Sequence, residues 1–243
     1  MTNEQNNGAQ IGHLNETSLH SDLIKICKQP GDLCETKVDG YVVDLLRADT
    51  IIEIQTRSFG SLKRKITRLL ENYRLHIIYP LPVEKWIVKI TPDSRIISRR
   101  KSPRRGRIED IFYELVWLVR QVAHPNFSLE VLFITEDEIR MDDGKGSWRR
   151  GGWSIIDRKL VELHSSRTFT NAQSYRSLLP PSLPEHFSIN DLYQMLHVSK
   201  RLVYKMVYCL KQIGVLQPIE KRGRITLYRI STQELLNNDG PNL

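Results

Sequence analysis

Two acids stand inside otherwise apolar, β-branched stretches: Asp44 ends Val38-Asp39-Gly40-Tyr41-Val42-Val43-Asp44, and Glu53 sits in Ile51-Ile52-Glu53-Ile54-Gln55. A buried strand favours apolar side chains throughout, and a carboxylate taken out of water needs a partner or a metal ion. Strand side chains alternate between faces, so Glu53 and Gln55 share one face while Ile54 points to the core on the other. Carboxylates on adjacent strands can converge on a hard divalent cation. Mg²⁺, or Mn²⁺ in its place, would polarise a phosphoryl oxygen and lower the pKa of an attacking water, the requirements of phosphodiester hydrolysis. Asp39 is an alternative to Asp44, but its parity along the strand is opposite, so one of the two faces the ion.

The elements that must position these residues follow from periodicity. Leu19, Leu23, Ile24 and Cys27 space out a short amphipathic helix, stopped by Gln29-Pro30-Gly31-Asp32. Residues 34–46 and 51–56 are expected as two strands of a hairpin. Leu62, Ile66, Leu69 and Leu70 then mark a helix with Lys63, Arg64, Lys65 and Arg68 on its other positions. A strand at 76–80 should be stopped by Pro80, with another at 86–90. Residues 99–107 are expected as a flexible basic loop, 108–122 as one helix, 129–135 as a strand, and 154–163 as a strand or a helix. This ordering predicts an α/β core in which a crossover helix covers a mixed sheet.

An acid at the end of one strand, then acid-x-polar on the next, followed by a basic helix, resembles the PD-(D/E)XK nuclease superfamily, which includes restriction endonuclease-like and Holliday-junction resolvase-like domains. The likeness covers about residues 16 to 90 in the order of elements. It implies a restriction endonuclease-like core with Asp44 and Glu53 as metal ligands, and an acid on the first helix, where Glu16 is preferred to Asp22. The third motif position is usually lysine, which orients the water and offsets charge in the transition state. Here it is Gln55, which can position water or phosphate but supplies no charge. Lys63 or Lys65 on the next helix, or Lys37 on the preceding strand, could supply it. Members of the superfamily often dimerise, so a homodimer is an expectation as well.

Leu179-Pro180-Pro181-Ser182-Leu183-Pro184 is a stiff stretch, and residues 166–186 are expected to link two domains. Beyond it come a helix from about 189 to 196, the turn His197-Val198-Ser199, a second helix to Ile213, and a hairpin with the basic tip Lys221-Arg222-Gly223-Arg224. This resembles a winged helix-turn-helix over residues 187–231, preceded by a nuclease-like domain at 15–165. The resemblance implies DNA contacts by Ser199, Lys200, Arg201, Tyr204 and Lys205 on the second helix, and by Lys221, Arg222 and Arg224 on the wing.

The composition fits a polyanionic partner. Thirty-six Lys plus Arg against 28 Asp plus Glu give +8, and 40% apolar residues can build a core. The stretches 1–14 and 232–243 are expected as disordered tails. No apolar run is long enough for a membrane span, and Cys27, Cys34 and Cys209 form no CxxC pair, which fits a soluble protein of the reducing cytoplasm. The seven histidines show no ligand spacing, Asp142-Asp143-Gly144-Lys145-Gly146 reads as a plain turn, and Trp148 and Trp153 as packing at a seam. Two functions stay open. One is a metal-dependent DNA endonuclease delivered by its C-terminal module; the other is a non-catalytic DNA-binding protein or transcriptional regulator whose nuclease-like domain is inactive, a reading that Gln55 favours.

Overall fold

The computed structural model describes residues 17–231. Glu16 and both expected tails lie outside them. Helix α1 (Ser18–Cys27) opens the chain, followed by strands β1 (Leu33–Val38), β2 (Tyr41–Arg47) and β3 (Thr50–Ile54), helix α2 (Lys63–Leu69) and the long strand β4 (Arg74–Ile90). Strand β5 (Ile96–Lys101), the short helices α3 (Phe112–Leu115) and α4 (Val119–Val122), and the long strands β6 (Phe127–Asp142) and β7 (Trp153–Phe169) complete a seven-stranded sheet and its cover. The sheet order is β1-β2-β3-β4-β6-β7, with β5 beside the far half of β4. The β3-β4 and β4-β6 pairs are parallel and all others antiparallel, so the sheet is mixed and the chain α/β.

Residues 34–46 form two strands rather than one. Asp39 and Gly40 both take positive φ, 46° and 82°, the conformation of a two-residue hairpin turn, and Asp-Gly is a preferred pair for it. Asp39 therefore sits at an exposed hairpin tip, where Tyr73 Oη donates to it at 3.3 Å. Strand β2 pairs with β3 only through Leu45↔Ile52, Leu46↔Ile51 and Arg47↔Thr50, so the ladder opens just where Asp44 and Glu53 stand. One face of the sheet buries Ile51, Ile77 and Leu129 under α2, α3 and α4; the other buries Leu45, Ile52, Ile54 and Ile78 under Leu19 and Leu23 of α1. Asp157 of β7 holds the start of α1, accepting from Ser18 N at 2.8 Å and from Ser18 Oγ at 2.6 Å. At the other end, Arg47 grips Asp32 through two hydrogen bonds, at 2.9 and 2.7 Å, and donates to the Cys27 carbonyl.

The two strands expected at 76–80 and 86–90 are one continuous strand that runs through Pro80 and Pro82. In a parallel ladder each residue directs its N–H and C=O to the same neighbour, and successive residues alternate. Ile78 faces β3, since its carbonyl accepts from Gln55 N, whereas Leu75 N bonds to Asn126 on the β6 side. Pro80 and Pro82, in phase with Ile78, thus face a gap where β3 has ended and β5, first paired at Trp86, has not begun. No ladder hydrogen bond is lost there. The loop 102–107 fills this gap: Gly106 N donates to Pro82 O at 2.8 Å, and a Cβ on Gly106 would lie 2.5 Å from that oxygen.

Two further expectations change, and a third narrows to one of its alternatives. Arg99, Arg100 and Lys101 belong to β5 rather than to a loop, because acids on the sheet neutralise two of them: Arg99 pairs with Asp137 and Lys101 with Glu84. The helix expected at 108–122 breaks into a 3-10 turn at 108–111 and the short α3 and α4, with Leu118 at φ −117°, ψ 17°. Its spaced apolar residues Ile111, Leu115, Leu118 and Val122 are nonetheless all buried, so the stripe survives without a continuous helix. Residues 154–163 are strand throughout, as part of β7.

Residues 166–186 hold more than a connection. They contain the end of β7 and helix α5 (Ala172–Arg176), whose Tyr175 stacks on Phe169 with ring centroids 4.8 Å apart. Strand β8 (Phe187–Ser188) then leads into helix α6 (Ile189–Leu196), capped by Ser188 and Asp191. His197 in the left-handed region makes the turn into helix α7 (Lys200–Gln212), capped by Ser199. Strands β9 (Leu216–Arg222) and β10 (Ile225–Ile230), turning at Gly223, pair into a small sheet in the order β8-β10-β9. No helix among the described residues is long and apolar enough to cross a membrane.

Candidate functional site

Where β2 and β3 part, Ile54 N has no strand carbonyl opposite it, and Asp44 Oδ2 accepts from it instead at 2.7 Å. His20 of α1 places Nε2 3.3 Å from the same oxygen. Glu53, only 4% exposed, is met from α2 by Lys65, whose Nζ lies 2.6 Å from Oε1 and also donates to the Val42 carbonyl at 2.5 Å. Four elements, α1, β2, β3 and α2, thus bring His20, Asp44, Glu53 and Lys65 to one place. Burial, and next the charge of Asp44, push the Glu53 carboxyl up to about 7, with Lys65 partly offsetting them. A carboxyl poised near neutrality can exchange a proton or accept a cation with little driving force against it.

Lys65, one of the lysines expected to supply charge, is therefore at the acid pair. Lys63 is exposed two positions earlier and lines an open groove of about 1080 Å³ with Tyr41, Arg64 and Arg68. Lys37 lies exposed on β1, one strand further out. Asp22 pairs with Lys25 within α1. Gln55 departs from its expected role: its amide donates to Ser58 O at 3.1 Å and to Ser61 Oγ at 3.3 Å, and its Oε1 accepts from Arg57 N. That side chain shapes the turn between β3 and α2. His20 was not expected at the site. Its signal was present in the apolar stripe of α1, where it is the polar member beside Leu19 and Leu23.

The donor chemistry suits a hard ion better than a soft one. Among the described residues no group of three or more His, Cys, Asp or Glu side chains is arranged to hold a metal. Two carboxylates are nevertheless what Mg²⁺ commonly takes from a protein, since it keeps several of its waters. Asp44 and Glu53 would be its protein ligands.

In the C-terminal module, Lys200, Tyr204 and Arg224 come together with Tyr208 and Lys211 around a groove of about 610 Å³. Arg201 and Lys221 are exposed, and Arg222 pairs with Glu220. Ser199 and Lys205 face elsewhere: Ser199 Oγ lies 3.1 Å from Tyr113 Oη, and Lys205 Nζ 5.8 Å from the centre of the same ring. Both help to dock the module on α3. Arg107 completes that seam, donating to the carbonyls of Leu196 at 3.0 Å and His197 at 3.4 Å. Trp153 lies under Lys89, whereas Trp148 is 84% exposed beside Arg149.

The fold and this acid pair define an α/β protein with a mixed sheet and a polar centre at one strand opening. The family model described as a domain of unknown function (DUF8091) matches residues 17–170, more than half of the chain, and the chain belongs to that family. It is 33% identical over 223 residues to a protein of Treponema pallidum (strain Nichols) described as uncharacterized, covering 90% of this chain and 87% of that one. The family match spans α1 to β7 and leaves the C-terminal module outside. The match to the Treponema protein is too long to end at residue 170, so the likeness to it takes in part of that module. No solved structure matches the chain.

Proposed function

We propose that the protein is a Mg²⁺- or Mn²⁺-dependent DNA endonuclease with its centre at Asp44, Glu53 and Lys65, brought to its substrate by a winged helix built from α6, α7 and the β9-β10 hairpin. The observation that carries this reading is the pair of carboxylates at the opening of the β2-β3 ladder, Glu53 buried and Asp44 partly so, with a lysine ammonium 2.6 Å from Glu53. The order α1-β1-β2-β3-α2-β4 around it is similar to that of PD-(D/E)XK nucleases, and Lys65 stands in for the lysine that Gln55 replaces. A divalent ion on Asp44 and Glu53 would supply Lewis acidity and a more acidic water. Lys65 would hold Glu53 in place and put positive charge beside the scissile phosphate. His20 and Ile54 N orient Asp44, while Gln55 fixes the turn that starts α2.

The test is cleavage of plasmid, duplex, forked and junction DNA with Mg²⁺ or Mn²⁺, with EDTA as control. Wild type should cut. Glu53→Ala and Lys65→Met should lose at least a hundredfold in rate, and Lys63→Met less than threefold. Full activity in Glu53→Ala would sink the site. A second reading, DNA binding without cleavage, is favoured by the engagement of Gln55 in its own turn. It prevails if DNA is bound with a salt-dependent affinity and no divalent ion elicits cutting on any of these substrates.

A further inference from the structure

On α7 the exposed stripe within the groove is Lys200, Tyr204, Tyr208 and Lys211, with the buried Val207 beneath. These residues recur at helical spacing along one face, and the two phenol rings are a turn apart, each about half exposed. Opposite them the hairpin turn presents Arg224 and the start of β10 presents Ile225. The groove walls carry three cations and no carboxylate.

A helix that reads duplex base edges uses Arg, Lys, Asn or Gln, whose polar groups match the donors and acceptors in the major groove. Of these, the part of α7 that faces the groove offers only Lys200 and Lys211, at the two ends of the stripe, with the tyrosines between them. Aromatic rings framed by cations are instead the surface on which unstacked bases lie, because every base offers a π-face and each phosphate a charge. A paired base in a duplex cannot use such a ring without leaving its stack.

We propose that this groove takes the unpaired bases of a single-stranded tail, stacked on Tyr204 and Tyr208, with Lys200, Lys211 and Arg224 on the phosphates. The module thereby selects DNA with a frayed, forked or tailed end over blunt duplex. This rests on the DNA-binding part of the reading above and not on its nuclease part.

The experiment is fluorescence anisotropy of the full chain in EDTA with three labelled DNAs: blunt duplex, the same duplex with a single-stranded tail, and the tail alone. Wild type should bind the tailed duplex at least tenfold more tightly than the blunt one. The double variant Tyr204→Ala/Tyr208→Ala should lose tenfold or more on tailed DNA and under twofold on blunt DNA, while Tyr204→Phe/Tyr208→Phe keeps wild-type affinity because stacking needs the ring alone. Thermal melting of each variant checks that the module is folded. Equal affinity for tailed and blunt DNA, equal losses on both, or no binding to any of the three overturns the proposal. Tail preference without cleavage in Mg²⁺ removes only the nuclease reading, and cleavage without tail preference removes only this one.

Discussion

Glu53 enters the fold from an ordinary value of 4.5 and ends at about 7, chiefly because burial disfavours its charged form. The unfolded chain therefore releases this proton first as pH rises. The contribution of Glu53 to stability is fully present below about pH 4.5, declines through 7 and is flat above it. Glu53→Gln, which cannot ionise, should raise the melting temperature at pH 8 relative to wild type and leave it nearly unchanged at pH 4.5. Melting curves across pH 4 to 9 check this. A lower melting temperature at pH 8 would mean that the ion pair with Lys65 outweighs the burial of the charge. Glu53 and Asp44 are legible from residue type alone, as acids in apolar strands, and Lys65 from its place on a basic helix. Gln55 and Asp39 are not, because turns take them: the Gln55 amide bonds three backbone and side-chain groups of its own loop, and Asp39 takes the left-handed conformation at the hairpin tip. His20 shows locally only as the polar member of the stripe on α1; its place beside Asp44 depends on how α1 packs on the sheet.

At the scale of elements, alternation and helical spacing fix α1, β3, α2, α6 and α7 closely, while the long strands escape local reading. β4 has 17 residues, roughly 55 Å at about 3.3 Å per residue, and its prolines look like stops until the gap beside them is known. The far half of the sheet is held differently from the near half. There Lys85 pairs with Glu136 at 2.8 Å and Glu138 at 2.9 Å, Glu138 also with Arg140, and Arg99 with Asp137 while stacking on Trp86. Around Ile51 and Ile77, by contrast, the sheet is sealed on both faces by apolar packing. Hydrogen exchange should therefore be faster at amides of β5 and residues 153–163 than in β3 by two orders of magnitude or more. Raising NaCl to about 1 M should speed β5 selectively, since it screens the partly exposed pairs Arg99–Asp137 and Lys101–Glu84 on that strand. Uniform protection across both halves would contradict this account.

For the whole molecule, the C-terminal module is fastened rather than strung on a linker. Residues 166–186 read as a connection because of their prolines, yet Tyr175, Leu178 and Leu179 are buried there, a fact that depends on which surface they meet. The guanidinium of Arg107 closes on the carbonyls at the end of α6, and Tyr113 meets Ser199. Arg107→Ala should loosen this seam without unfolding either part. Limited proteolysis would then cut near 180–186 several times faster than in wild type, with the melting temperature of the sheet domain unchanged. No change in cutting would show that the apolar contacts suffice.

Short helix α3 touches both sides of this arrangement. Tyr113 meets the module, and the next residue, Glu114, accepts from Phe59 N at 2.9 Å in the turn just before α2. Through α3 the module that carries the tyrosine groove is thus connected to the turn that leads into α2, the helix of Lys65, in the manner of a caliper. Under the nuclease reading proposed above, a molecule built so would not slide its cutting point along the strand. On a tailed duplex its products should gather at a single length counted from the junction, and Arg107→Ala should smear that length into a ladder.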